Sequence, residues 1–331
     1  MIAALKPREL KIEITDSCNL QCAFCYHGED ACHGKQFMPE EKVRLWIDWA
    51  VENAIPAVRF TGGEPTLHPS LRQFCDYAKQ RGRYVILNTN GMADDKLYRE
   101  LFPLLNDVRI SLPTLDAGRM DEITGGNGVL ARKLSIIETA VACGVQHVVP
   151  LTILLPEHHG TLEQFARFAA SMPRLLWLPL RYESTPDQPR PWTRADAQAF
   201  AEEMADLMHR YPDHANGIFL AMPFCGVTPV SLGAKVFRGR TLCCGPFASL
   251  SVKASGTLQA CSDIGEMEGW RSIGEIKNCP ETRACASLEI LTDECRSCPY
   301  VAACGGGCRK PYGLAQHGDK WIDYLAGFVK E

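Results

Sequence analysis

The chain has 331 residues, 46% hydrophobic and 22% charged, with 35 basic and 39 acidic residues and a net charge of −4. This is an ordinary globular balance, enough for one large domain or two smaller ones. The charges are mixed along the chain, so no basic block offers a phosphate-tracking surface and nucleic acid is not an expected partner. No apolar run is long enough to span a bilayer, and MIAALKPRELKIEIT lacks a signal-peptide core, so a cytoplasmic protein without a membrane partner is expected.

From about residue 8 to 212 the pattern alternates between strand and helix. Strand-like runs fall at Glu9–Ile14, Ala57–Phe60, Tyr84–Asn88, Val108–Leu112, Val148–Leu154 and Leu175–Leu180. The segments between them have helical periodicity, as in Val43, Ile47, Ala50, Val51 and Ala54 on one face, or Phe165, Phe168 and Ala169. Such alternation predicts an α/β fold with a parallel sheet and helices outside it. Six units fall short of the eight that close a TIM barrel. The expected architecture over residues 1–215 is therefore a partial (β/α)6 TIM barrel whose open side admits a large substrate. His158 and His159 open a helix and are expected to face solvent. Pro186, Pro189 and Pro191 mark a loop before the last helix, Arg194–Tyr211. After Pro212 the runs shorten, and glycine, proline and cysteine cluster. A second, small cysteine-rich α+β domain is expected at 216–331. Its clearest element is a hairpin of Ser249–Lys253, a turn at Ala254–Gly256 and Thr257–Cys261.

The chain has 16 cysteines. In a reducing compartment closely spaced cysteines bind metal more often than they pair. Cys75 and Cys143, each alone in a helical pattern, read instead as buried thiols. Cys18, Cys22 and Cys25 form C-x3-C-x2-C directly after the first strand. Three thiolates on a short loop hold three irons of a four-iron cubane and leave the fourth iron without a protein ligand. The alternative is zinc, with His27, Cys32 or His33 as the fourth donor. Thr61–Gly62–Gly63–Glu64–Pro65 ends the second strand. Its glycines allow the backbone to approach a ligand closely, and Glu64 adds an acceptor. Thr89–Asn90–Gly91 closes the third strand.

In this order the motifs resemble the radical S-adenosylmethionine (radical SAM) superfamily. ITDSCNLQCAFCYH matches its three-cysteine run with an aromatic, Phe24, before the last cysteine. Gly62, Gly63, Glu64 and Pro65 match its GGEP. Asn90, Ser111 and Thr152 fall where the family contacts SAM. The resemblance implies a four-iron cluster on Cys18, Cys22 and Cys25, with SAM chelating the open iron. It implies an electron donor such as flavodoxin or ferredoxin, and reductive cleavage of SAM to a 5′-deoxyadenosyl radical that takes a hydrogen atom from the substrate.

Cys295-x2-Cys298-x5-Cys304-x3-Cys308, with Cys244, Gly256 and Cys261 upstream, resembles the SPASM extension of this superfamily. That resemblance implies one or two auxiliary four-iron clusters. The first would use Cys244, Cys261 and Cys308, with Cys225 or Cys243 as its fourth ligand. The second would use Cys295, Cys298 and Cys304. Its last cysteine should follow Cys308, but residues 309–331 contain none. His317, Asp319 or Asp323 are candidate substitutes. Three clusters correspond to about twelve irons per chain. A zinc ribbon is the alternative for Cys295 to Cys308. Cys225 and Cys243 are also candidate catalytic hydrogen-atom donors, against the plainer reading of buried thiols; Cys279 and Cys285 fit no pattern.

Most SPASM enzymes modify peptides, so the resemblance favours a ribosomally made peptide as substrate, crosslinked, epimerised or oxidised. The alternative is a small-molecule natural-product enzyme, such as an aminoglycoside or sugar epimerase or dehydrogenase. Glu183, Asp187 and Asp196 would then face an amino sugar. A non-catalytic electron-transfer or sensor protein is the third class, and it gives no reason for GGEP beside an open cluster.

Overall fold

The computed structural model describes residues 7–25, 27, 33–185, 191–238, 249–261, 264–267, 273–278, 291–308, 314–318 and 320–327. Its barrel strands are β1 (Glu9–Ser17), β3 (Ala57–Gly62), β4 (Tyr84–Thr89), β5 (Asp107–Ser111), β6 (His147–Leu154) and β7 (Leu178–Arg181). A short β2 (His33–Phe37) pairs antiparallel with β1. Helices α1 (Glu40–Glu52), α2 (Leu71–Gln80), α3 (Asp95–Leu101), α4 (Ala117–Thr124), α5 (Val129–Ala142) and α6 (Leu162–Ala170) connect the strands, and α7 (Arg194–Arg210) follows β7. Consecutive barrel strands pair in parallel from β1 to β7. The partial barrel expected from the alternation is the observed fold.

Side chains alternate across each strand with period two. On β1, Leu10, Ile12 and Ile14 are fully buried in the core with the helices, while Glu9, Lys11 and Glu13 line a cavity inside the barrel. The same division recurs on β3, where Val58 and Phe60 are in the core and Arg59 and Thr61 line the cavity. On β5, Val108 and Ile110 are buried while Asp107, Arg109 and Ser111 line it. On these three strands the outward face is apolar because helices cover it, and the inward face is polar where it borders the cavity.

The C-terminal segments join both edges of this sheet. Beyond α8 (Val230–Val236), β8 (Ser249–Val252) lies parallel to β1, and it turns into β9 (Leu258–Cys261) and β10 (Ile264–Met267). The expected hairpin is present, with Gly256 at φ +86° closing the turn. At the other edge, Phe219 N donates to Pro179 O and Arg181 N to Phe219 O. A two-stranded ribbon, β11 (Leu314–His317) and β12 (Lys320–Asp323), and α9 (Ile273–Asn278) complete the described elements, with short helices at Asp293–Ser297 and Val301–Cys304.

A buried ion pair ties the barrel to the C-terminal ribbon. Arg181 donates two bonds to Asp323, of 2.5 and 3.0 Å, and a third to Ala221 O. Asp323 was a candidate cluster ligand. The structure gives its carboxylate to Arg181, Cys308 N and Leu325 N instead. Two smaller expectations are corrected as well. Cys143 is exposed, because it lies just past α5. His158 is buried, because its Nδ1 accepts from Leu155 N and its ring packs edge-on to Phe165.

Candidate active site

The cysteine loop after β1 is held by backbone bonds from outside itself. Gln21 N and Ala23 N donate to Thr124 O and Ile123 O at the end of α4, and Leu20 and Phe24 are buried beneath the loop. Cys18, Cys22 and Cys25 are each half-buried and line the cavity together. Asn90 Nδ2 donates to Asn19 Oδ1 at 2.7 Å and lies 3.8 Å from Cys18 Sγ. Among the described residues no three His, Cys, Asp or Glu side chains converge on a single-ion position. A cubane needs no such convergence, since each thiolate takes a separate iron. Cys32 and the side chain of His33, candidate fourth donors of the zinc alternative, lie outside the described residues.

Gly62 and Gly63 are required by the β1 backbone. Gly63 N donates to Thr15 O at 2.8 Å and Glu64 N to Ser17 O at 2.7 Å. A Cβ on Gly62, at φ +135°, would overlap Thr15 O, and one on Gly63 would overlap Ser17 O. The close approach expected toward a ligand is thus also an approach to the strand that leads into the cysteine loop.

Glu64 is 1% exposed and joins the ends of β3 and β4. Its Oε1 accepts from Thr66 N, Thr66 Oγ1 and Thr89 Oγ1, and its Oε2 from Asn90 N at 2.6 Å. Burial pushes its pKa up, and the hydrogen bonds oppose that shift. Oε2 retains acceptor capacity in the cavity wall.

Lys133, on α5, carried no motif in the sequence. It is 1% exposed, and its ammonium donates to Asn90 O and Ser111 O, both at 2.7 Å. Burial pushes its pKa down to about 8, against the favourable charges of Cys22, Glu64 and Cys18. The signal that could have found it is a lone lysine among the buried positions of an apolar helix, Val129, Leu130, Ile136, Ile137 and Ala140.

Not every expected contact is in the cavity wall. Phe24, Gly62, Gly63, Glu64, Asn90 and Ser111 line it. Thr152 does not: it is fully buried, donates to Leu112 O and accepts from Trp177 Nε1. Its neighbours Leu151 and Ile153 take the inward positions, as the strand period dictates. Pro65 starts a buried 3₁₀ turn and also lies outside the wall. Cys225 is likewise not among the lining residues. Of the acidic candidates, Glu183 lines the cavity, while Asp196 caps α7 and meets His159. Cys243, Cys244, Cys279, Cys285, Asp187 and Asp319 lie outside the described residues, as do the side chains of Cys261 and His317.

The cavity has a volume of about 670 Å³. One wall is charged, with Glu9 paired to Arg59 and Asp107 to Arg109 at 3.1 Å. Farther along the sheet, on β6, β7 and Phe219, the lining is apolar: Val149, Leu151, Ile153, Leu178, Leu180 and Phe219.

A partial barrel with a three-cysteine loop over its cavity is the architecture of radical SAM chemistry, and residues 12–169 match the family model described as the Radical SAM superfamily. The chain carries a radical SAM domain and is a radical SAM enzyme, using SAM and a four-iron cluster. A GTP 3′,8-cyclase of Corynebacterium glutamicum (strain R) is 28% identical over 289 residues, covering 82% of this chain and 72% of its own. A probable GTP 3′,8-cyclase of Sulfolobus acidocaldarius is 31% identical over 169 residues, 49% of this chain and 52% of its own. Among solved structures, Streptococcus suis SuiB bound to S-adenosylmethionine superposes with a TM-score of 0.75 at 15% identity, over 97% of this chain and 77% of that one. Native anSMEcpe with bound AdoMet gives 0.70 at 16% identity, over 97% and 94%. At such identities these structures speak for the fold alone.

The comparisons correct the expectation of a peptide substrate. The sequence relatives are named for a reaction on GTP, a small molecule. The cysteine spacing that favoured peptides reports on clusters. Among the described residues no helix is long and apolar enough to cross a membrane.

Proposed function

We propose that this enzyme removes a hydrogen atom from a small, polar molecule bound inside the barrel, and that nucleotides are the first class to test. The observation that carries the reading is the two-sided cavity beneath the cysteine loop. Its volume of about 670 Å³ falls within the range of small-molecule sites, roughly 300–1,000 Å³. The similarity to GTP 3′,8-cyclases over most of the chain supports the same class.

When bound, the reduced cluster and SAM supply a carbon radical able to take hydrogen from an unactivated C–H bond, given one electron from a donor of the flavodoxin or ferredoxin type. Cys18, Cys22 and Cys25 would hold the cluster. Gly62, Gly63, Glu64, Asn90 and Ser111 form the wall beside it, where Glu64 Oε2 offers an acceptor for an ammonium group. Lys133 fixes the ends of β4 and β5 by holding two of their carbonyls. Lys11, Glu13, Asn88 and Arg109 present both charges and an amide to a polar substrate, while the β6–β7 wall packs an apolar face and excludes water.

The test is anaerobic formation of 5′-deoxyadenosine from SAM under dithionite, with a panel led by GTP and including amino sugars. A substrate of the proposed class should raise the rate by about tenfold or more over the uncoupled reaction. Deuterium on its reacting carbon should appear in 5′-deoxyadenosine. If no small molecule of the panel accelerates the reaction or transfers deuterium, the reading fails.

A further inference from the structure

Away from the cavity, the segment that carries Cys225 packs against the short helices that carry Cys295, Cys298 and Cys304. Short helices at Asp293–Ser297 and Val301–Cys304 present Cys295, Cys298 and Cys304. Thr292 caps the first helix through Cys295 N. Cys298 N then donates to Cys295 O at 3.2 Å, and Cys304 N to Tyr300 O at 2.8 Å. The segment Met222–Gly226 folds back onto this pair. Phe224 N donates to Cys304 Sγ at 3.4 Å, and the Phe224 ring meets Tyr300 edge-on at 6.2 Å. Cys225 is the next residue.

The chain end closes the corner from the other side. Gly327 N donates to Cys225 Sγ at 3.4 Å. A Cβ on Gly327 would overlap Cys225 O, so the two backbones are in contact. Residues 325–327 belong to the stretch after Cys308 in which the SPASM-like spacing asks for one more cysteine. None is there, and Cys225 is what stands against it. The Cys308 N–H bonds Asp323 Oδ2, beside Arg181.

The backbone around Cys304 is wrapped closely about its sulfur. Burial pushes its thiol pKa up, and N–H groups from Phe224, Gly306 and Gly307 that point at the sulfur oppose that shift. Gly305, Gly306 and Gly307 lie at φ +66°, +78° and +83°, a run that wraps the backbone and that side-chain-bearing residues rarely adopt. A neutral buried thiol needs no such array, whereas hydrogen bonds to cysteine sulfur are a standing feature of iron–sulfur sites.

We propose that Cys225 is the fourth ligand of a closed four-iron cluster held by Cys295, Cys298 and Cys304. Cys225 replaces the cysteine missing after Cys308 and leaves the first auxiliary set without it. With all four irons bound by thiolate, this cluster has no open position for a substrate or for SAM. Its role is confined to structure or electron transfer, and Cys225 is then not a hydrogen-atom donor. The proposal does not depend on the substrate reading above.

The test uses the full chain carrying Cys18→Ala, Cys22→Ala and Cys25→Ala, reconstituted anaerobically with iron and sulfide so that only C-terminal clusters contribute. Adding Cys225→Ala should remove about one iron per chain and leave a three-iron cluster, visible as a new paramagnetic signal in the oxidised protein. Cys143→Ala should change neither. Unchanged iron content and spectrum in Cys225→Ala would overturn the proposal. A second measurement needs no substitution. In the iron-loaded wild-type chain Cys225 should resist iodoacetamide, as mapped by mass spectrometry, and should react together with Cys298 once the iron is chelated. Cys143 should react in both states. Equal labelling of Cys225 with and without iron would overturn the proposal as well, including where the alanine variant does not fold.

Discussion

The loop of Cys18, Cys22 and Cys25 and the corner of Cys225, Cys298 and Cys304 differ in what surrounds the sulfur. The first three thiols line a cavity, on a loop fastened to β1, β3 and the end of α4. In the second corner Cys304 is buried, ringed by backbone N–H groups and absent from the cavity wall. Cysteine spacing alone makes the two sets look alike. The first set lines the barrel cavity and so is placed to act on a molecule bound there.

The strongest test of that contrast is loss of a ligand. Cys22→Ala should lower 5′-deoxyadenosine formation by more than about 100-fold, beyond the 10–100-fold typical of changes around a metal site's ligands. Retained activity would break the comparison at its root. Next is the buried pair that ties the two regions together. Asp323→Ala leaves the Arg181 guanidinium buried without its partner, and should cost about 3–5 kcal/mol in a urea titration of the iron-free chain. A loss below about 1 kcal/mol would mean that the ribbon and the barrel are not joined through this pair.

Smaller effects separate the two faces of the strands. Gly63→Ala forces a methyl group against the Ser17 carbonyl. It should destabilise the fold by up to about 3 kcal/mol and loosen the cysteine loop, read as faster loss of the first cluster's absorbance to a chelator. Normal stability and cluster retention would show that the backbone there has room to move. The least disruptive change is Thr152→Val, which removes the bonds to Leu112 O and Trp177. It should cost about 1–2 kcal/mol in stability while leaving the KM for SAM unchanged. A raised KM for SAM would put Thr152 back in the cavity.

The motifs made much of the first region legible. Cys18, Gly62, Glu64 and Asn90 are close in sequence to strand ends, and parallel strands of similar length bring their C-terminal ends to one rim. Which face of a strand points inward was not legible at Thr152, because an apolar run such as VVPLTIL gives no polar alternation to set the phase. Lys133 escaped notice because its partners are backbone carbonyls of distant strands. The substrate class could not be read from the cysteines, since they specify cofactors.

The sequence by itself determined the strand–helix alternation, the three-cysteine loop and the glycines beside it, because these depend on short-range spacing and backbone freedom. The tertiary structure decided the rest. It joined C-terminal segments to both edges of the barrel sheet, gave Asp323 to Arg181, turned Thr152 away from the cavity and brought Cys225 within reach of Cys304, some eighty residues along the chain. Such pairings are set by which surfaces must be buried together, and burial is a property of the whole fold and not of any segment.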